Sequence, residues 1–162
     1  MSILDYIKDE IHSTHTKTNQ LIEKIPAEKW NTTPEILETN MNWQLGHLIL
    51  ANYLHGIASI SGPNELIRSK INIPDYIKFY GPNSSPTKFN EEKPDNTTLK
   101  TIYSILLEEI KKQIETIKEE DLISETAIPN PAAKTKKEAL SLLYKHQSWH
   151  NGQIAMLGRI LK

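Results

Sequence analysis

The stretch Lys145-His146-Gln147-Ser148-Trp149-His150-Asn151-Gly152-Gln153-Ile154 sets two histidines four residues apart in the last strongly helical segment of the chain. An α-helix turns by about 100° per residue, so positions four apart lie one above the other on a single face. Ala139, Leu142, Leu143, Leu157 and Ile160 project to that side as well. His146 and His150 therefore fall inside the stripe that should turn toward a core, and Gln153 shares it. A third inward imidazole comes from the segment Trp43 to Ser61. There Trp43, Leu50, Leu54, Ile57 and Ala58 draw the apolar side, and His47 lies near its middle.

Working outward, four helices separate. The first is expected from about Ser2 to Lys24, with Ser2 and Asp5 spaced as a capping box, Ile3, Leu4, Ile7, Ile11, Leu21 and Ile22 in helical period, and Pro26 as its stop. The second should open after Asn42 as N-cap and end at Gly62-Pro63. The third begins near Asn96 or Thr97 and carries Leu99, Ile102, Tyr103, Leu106, Ile110, Ile114 and Ile117 on one side, with Glu and Lys opposite. The fourth follows Pro129 and Pro131, with Thr135 and Glu138 spaced as a second capping box. Between the second and third lies Asn64 to Asp95, where Pro74, Gly81, Pro82, Pro86 and Pro94 forbid a long helix. Asn64–Lys70 and Asp75–Tyr80 can form short helical turns, and Tyr80–Pro86 should be a loop. No segment has a strand period strong enough to suggest a sheet. The expected fold is all-α, a four-helix bundle with a long crossover between helices two and three, in one domain over residues 1–162.

Composition narrows the chemistry. Nineteen basic and 20 acidic residues leave a formal net charge of −1, with no electrostatic footprint for nucleic acid. The absence of cysteine excludes catalysis by a protein thiolate, cysteine-based zinc sites and disulfides, so any metal must take nitrogen or oxygen ligands. No apolar run approaches the roughly 20 residues that span a bilayer, and the N-terminus lacks the pattern of a secretory signal. The expectation is a soluble, cytoplasmic protein.

Burying three imidazoles costs roughly 1–3 kcal/mol for each polar group left unpaired, and a metal ion removes that cost by accepting a lone pair from every ring. Any one inward histidine is more often a core residue with hydrogen-bond partners. Three together point to a metal. The pair at i and i+4 is like half of a metalloprotease zinc site, but Gln147, Ser148 and Trp149 supply no glutamate between the histidines.

Asn42-Trp43-Gln44-Leu45-Gly46-His47-Leu48, followed after a long gap by His146-Gln147-Ser148-Trp149-His150-Asn151-Gly152-Gln153-Ile154, resembles the signature of the DinB-like superfamily of metal-binding four-helix bundles. The resemblance extends to length and helix order, and implies that His47, His146 and His150 bind a divalent cation. Three neutral imidazoles leave at least one coordination position open and the full charge of the ion uncompensated. Such an ion can lower the pKa of bound water or take a thiolate directly. Zinc is the plain choice and nickel is compatible with the same donors. The superfamily includes S-transferases that use bacillithiol or mycothiol, and members described as metal-dependent hydrolases. The first expectation is activation of a low-molecular-weight thiol for transfer to a small electrophile; hydrolysis comes second, and a metal-stabilised binding module without turnover third. Gln44 and Gln153 can orient ligands or water but take no proton at neutral pH, so no general base emerges. A small-molecule substrate is the expected partner, and the resemblance adds a homodimer.

The remaining candidates rank lower. His12 lies off the apolar face of helix one. His15 sits at its margin beside Thr14 and Thr18, which either line the same cavity or bond to the preceding turn. On a regular helix His55 stands about 80° around from His47 and should not share the centre. Trp43 and Trp149 are read as core packing with pocket walls as the alternative, and Phe79 and Tyr80 either close over the metal or anchor their loop.

Overall fold

In the computed structural model, which describes residues 1–162, the capping boxes fall where the sequence puts them. Ser2 Oγ accepts the Asp5 N–H at 3.0 Å while the Asp5 carboxylate accepts the Ser2 N–H at 3.1 Å, opening α1 at Ile3–Ile22. Thr135 and Glu138 open the last helix, α6 (Lys136–Ile160), in the same reciprocal way. Each box satisfies amide groups that have no partner inside the helix.

The second long helix starts earlier than expected. Its N-cap is Asn40, whose Oδ1 accepts the Trp43 N–H at 2.9 Å from an extended backbone, so α2 spans Met41–Asn52. Asn42 lies within the first turn and uses its amide at long range, donating to the Pro94 carbonyl at 2.9 Å and accepting the Tyr80 hydroxyl at 3.1 Å. Two asparagines two residues apart both suit a cap; only the tertiary partners of Asn42 decide between them. Beyond Asn52 the helix widens into a π-helical segment, Tyr53–Ala58, and ends in a last turn, Ser59–Ser61, before Gly62 at φ 90°.

The crossover forms two short helices, α3 (Glu65–Arg68) and α4 (Ile73–Tyr80), each capped by an asparagine, with Pro74 in the first turn of α4. Asp95 caps α5 (Asn96–Thr116), where Leu99, Ile102, Tyr103, Leu106, Ile110 and Ile114 are buried. A 3₁₀ turn, Glu119–Ile123, leads to a feature the sequence reading denied: a small antiparallel hairpin of β1 (Glu125–Asn130) and β2 (Ala133–Thr135). Pro129 masked it, since proline argues against a strand except at an edge, and a two-stranded ribbon is nothing but edges. The protein is therefore mostly helical with a minor sheet rather than all-α.

The four long helices meet through α1 against α6, α6 against α2, and α2 against α5, with α4 also lying on α2. Leu45, Leu48, Leu99, Leu106, Leu140 and Leu157 are wholly excluded from solvent between them. A polar layer crosses this core. Fully buried Gln147 of α6 donates to Thr18 of α1 and to the Tyr103 hydroxyl of α5, and accepts from Asn52 of α2 at 3.0 Å. Asn151 completes it by accepting from Thr18 at 2.6 Å and donating to the Thr14 carbonyl at 3.0 Å. One amide side chain thus touches all four helices with its polar atoms satisfied, which fixes their relative register.

Candidate metal centre

His47 comes from α2, and His146 and His150 from successive turns of α6. The packing of these two helices brings the rings together. The Nε2 atom of His146 lies 3.1 Å from Nε2 of His47 and 3.1 Å from Nε2 of His150. The histidines of this group are its only members; no carboxylate joins them.

The outer nitrogens determine what the inner ones present. His47 Nδ1 donates to the Tyr80 carbonyl at 2.7 Å, at the end of α4. His150 Nδ1 donates to Gln44 Oε1 at 2.7 Å. The orientation of that amide follows from its other end, where Nε2 donates to Thr39 Oγ1 at 3.0 Å and to Gln153 Oε1 at 2.6 Å. Both rings therefore carry their proton on Nδ1 and aim an Nε2 lone pair inward. His146 Nε2 can offer a single hydrogen to two such acceptors, and its Nδ1 is buried without a partner. No arrangement of protons on three neutral rings satisfies every nitrogen.

A divalent cation would satisfy all three Nε2 atoms at once, leaving only the His146 Nδ1–H without a partner. With zinc–nitrogen bonds of about 2.0–2.1 Å, tetrahedral ligands stand roughly 3.3 Å apart, close to the 3.1 Å that separates His146 Nε2 from each of its two neighbours. Burial pushes all three imidazoles below their ordinary pKa. It holds His146 down to about 4, helped by His47 and His55, and His150 to about 3, helped by His146 and His47; for His47 the Tyr80 carbonyl opposes the shift. At neutral pH the lone pairs are free of protons, as a metal requires.

Trp43 packs against the core, as read from sequence, and its other expected role is met too, since it walls this centre. Its indole stacks on the His47 ring with centroids 4.7 Å apart and planes 8° from parallel, and its Nε1–H donates to Ser84 Oγ at 2.8 Å. Tyr80 is wholly buried and Phe79 packs against Phe89, so these aromatics anchor the crossover while the Tyr80 backbone orients His47. Trp149 does neither job expected of it: its side of α6 faces solvent, with 73% exposure. Thr14 Oγ1 bonds to the preceding turn, donating to the Glu10 carbonyl at 2.8 Å, and Thr18 belongs to the polar layer; neither bonds to the three imidazoles.

His55 stays outside the group of three, as the sequence leads one to expect, yet lies near it. Its ring centroid lies 6.4 Å from that of His146, although His55 is not one of the three converging ligands. The 80° offset assumes a regular helix, whereas His55 lies in the π-helical segment Tyr53–Ala58, whose i to i+5 bonding departs from that regularity. Nothing in the sequence announces that turn. The Tyr80 carbonyl was equally invisible, since a backbone acceptor leaves no residue signature.

Over residues 10–154 the chain matches the sequence profile of the DinB superfamily. No curated protein matches it. Among solved structures it is similar to a conserved protein from Enterococcus faecalis, with a TM-score of 0.72 and 18% identity over 99% of this chain and 98% of that one. At that identity the likeness carries the fold alone. The profile, covering most of the sequence, carries the assignment: the chain belongs to the DinB superfamily.

Proposed function

We propose that this protein holds a divalent cation, zinc or nickel, on His47, His146 and His150 and uses it to activate a low-molecular-weight thiol for transfer to a small electrophile. The observation that carries the reading is the convergence of three Nε2 atoms, two of which, on His47 and His150, are kept free of protons because Tyr80 and Gln44 hold the ring hydrogen at Nδ1. A bound cation with no anionic protein ligand would supply Lewis acidity strong enough to favour a thiolate at neutral pH. The protein's own residues do the positioning. Gln44, braced by Thr39 and Gln153, aims His150; the Tyr80 carbonyl aims His47; the Trp43 indole covers one face of the His47 ring and excludes water from it.

No carboxylate stands among the three imidazoles to act as a general base. That favours thiol activation over hydrolysis: a thiol near pKa 8.5 needs little help to ionise, whereas water at 15.7 needs a great deal. The cytosol, where thiols are kept reduced, is the compartment such chemistry requires. We read the four long helices as a single bundle domain, and a homodimer as its assembly, to be checked by light scattering.

Two measurements test the reading. Elemental analysis of untagged protein should find near-stoichiometric metal that is lost in His47→Ala, His146→Ala and His150→Ala, each checked for folding by circular dichroism. Metal-loaded protein should consume thiol and electrophile together. Retention of metal in a folded single variant removes that histidine, and consumption of activated esters or amides in place of thiol selects hydrolysis.

A further inference from the structure

We propose that His55 is the specificity-determining residue of the open coordination position, donating a hydrogen bond from Nε2 to an anionic acceptor atom bound there. The inference rests on the metal reading above, but not on the identity of the acceptor as a thiolate.

The hairpin dictates which nitrogen of His55 carries the proton. Asn130, the last residue of β1, accepts the Ala132 N–H on Oδ1 at 2.9 Å, which settles the orientation of its amide. Its Nδ2 then donates both to Ser59 Oγ and to His55 Nδ1, each at 2.9 Å. An imidazole that accepts on Nδ1 keeps its hydrogen on Nε2 when neutral. No group of the protein accepts that hydrogen: the bond to Asn130 is the only hydrogen bond of the His55 ring.

The ring that carries this donor lies beside the centre. The ring meets His146 edge-on at 6.4 Å and 67°, and both His47 and His146 lie within electrostatic reach of it. His55 is half-buried and lies in the π-helical turn that follows α2, an irregularity that recurs at functional sites. The hairpin thus acquires a role: Asn130 clamps a histidine whose remaining N–H has no protein partner. A hydrogen bond to an anion is about twice as strong as a neutral one, so a donor here discriminates for a negatively charged ligand atom.

The test uses the full-length protein loaded with cobalt(II), whose visible spectrum reports ligands at the open position. Azide is titrated as the probe anion and 2-mercaptoethanol as the probe thiol, against wild type, His55→Phe and His55→Gln. The expected result is azide binding to wild type, weakened about tenfold or more in His55→Phe and restored to within about threefold in His55→Gln, which keeps a donor. Cobalt stoichiometry should be the same in all three. Equal azide affinity in wild type and His55→Phe overturns the inference. So does loss of cobalt from folded His55→Phe, which would make His55 a ligand, or failure of azide to bind wild type. If azide binds as expected while 2-mercaptoethanol does not, the donor role of His55 stands and the thiol reading falls.

Discussion

A methyl group built on Gly46 would lie 2.3 Å from Cε1 of the Tyr80 ring, so this ring packs directly on the backbone of α2 one residue before His47. The ring cannot swing clear, because it is wholly buried and its hydroxyl is bonded to Asn42. The carbonyl of the same tyrosine receives the His47 proton. One residue therefore seats the crossover on α2 and orients an imidazole.

Gly46→Ala should accordingly act on both stability and metal binding. Overpacking against a fixed ring costs roughly 1–3 kcal/mol, and displacement of the Tyr80 carbonyl should weaken metal affinity as well. In a double-mutant cycle by urea denaturation, Gly46→Ala combined with Tyr80→Ala should cost less than the sum of the single changes. Additive costs would show that the two residues do not oppose each other.

Gln44→Met removes the acceptor of the His150 proton while keeping the volume of a buried side chain. Loss of such an orienting partner typically weakens a metal by about 10–100-fold. Competition with a chromophoric chelator should report this in Gln44→Met, while Gln44→Glu, which keeps an acceptor oxygen, should bind at least as well as wild type.

Stability should fall on acidification through a group outside the centre. Burial, reinforced by His12, holds His15 down to about 4 against its ordinary 6.5, and its Nε2 is buried without a partner. Between those values the unfolded chain binds a proton that the folded protein refuses, so the stability present above pH 6.5 drains away toward pH 4. The gap corresponds to on the order of 3 kcal/mol. His146 and His150 shift in the same direction, so metal-free wild type should be steeply acid-sensitive and His15→Gln less so. Urea titrations at about pH 7.5 and about pH 4.5 measure the difference; identical slopes would remove His15 from the account.

Chelation should lower the melting temperature of wild type and leave His146→Ala unchanged. A ligand present at a hundredfold excess over its Kd stabilises the folded state by about 2.7 kcal/mol. The contrast is readable by calorimetry with and without EDTA. A chelator that shifts both proteins alike would indicate that the stabilising ion is bound elsewhere.

Helix content and the inward placement of His47, His146 and His150 were legible in the linear chain, because apolar spacing and capping pairs such as Ser2–Asp5 and Thr135–Glu138 are local and obey the period of one helix. The start of α2 was misplaced by two residues because Asn40 and Asn42 differ only in long-range partners, and the hairpin was hidden by Pro129.

What the amino-acid sequence alone determined is which side chains each helix turns inward, a matter of local periodicity. Tertiary structure decided the distances and the protons: that α2 and α6 meet with Nε2 atoms 3.1 Å apart, that a backbone carbonyl and an amide take the Nδ1 hydrogens of His47 and His150, and that His55, in a π-helical turn, lies beside the group. Those facts depend on contacts between residues far apart in the chain. No periodicity encodes them, because each is fixed by the packing of one element against another.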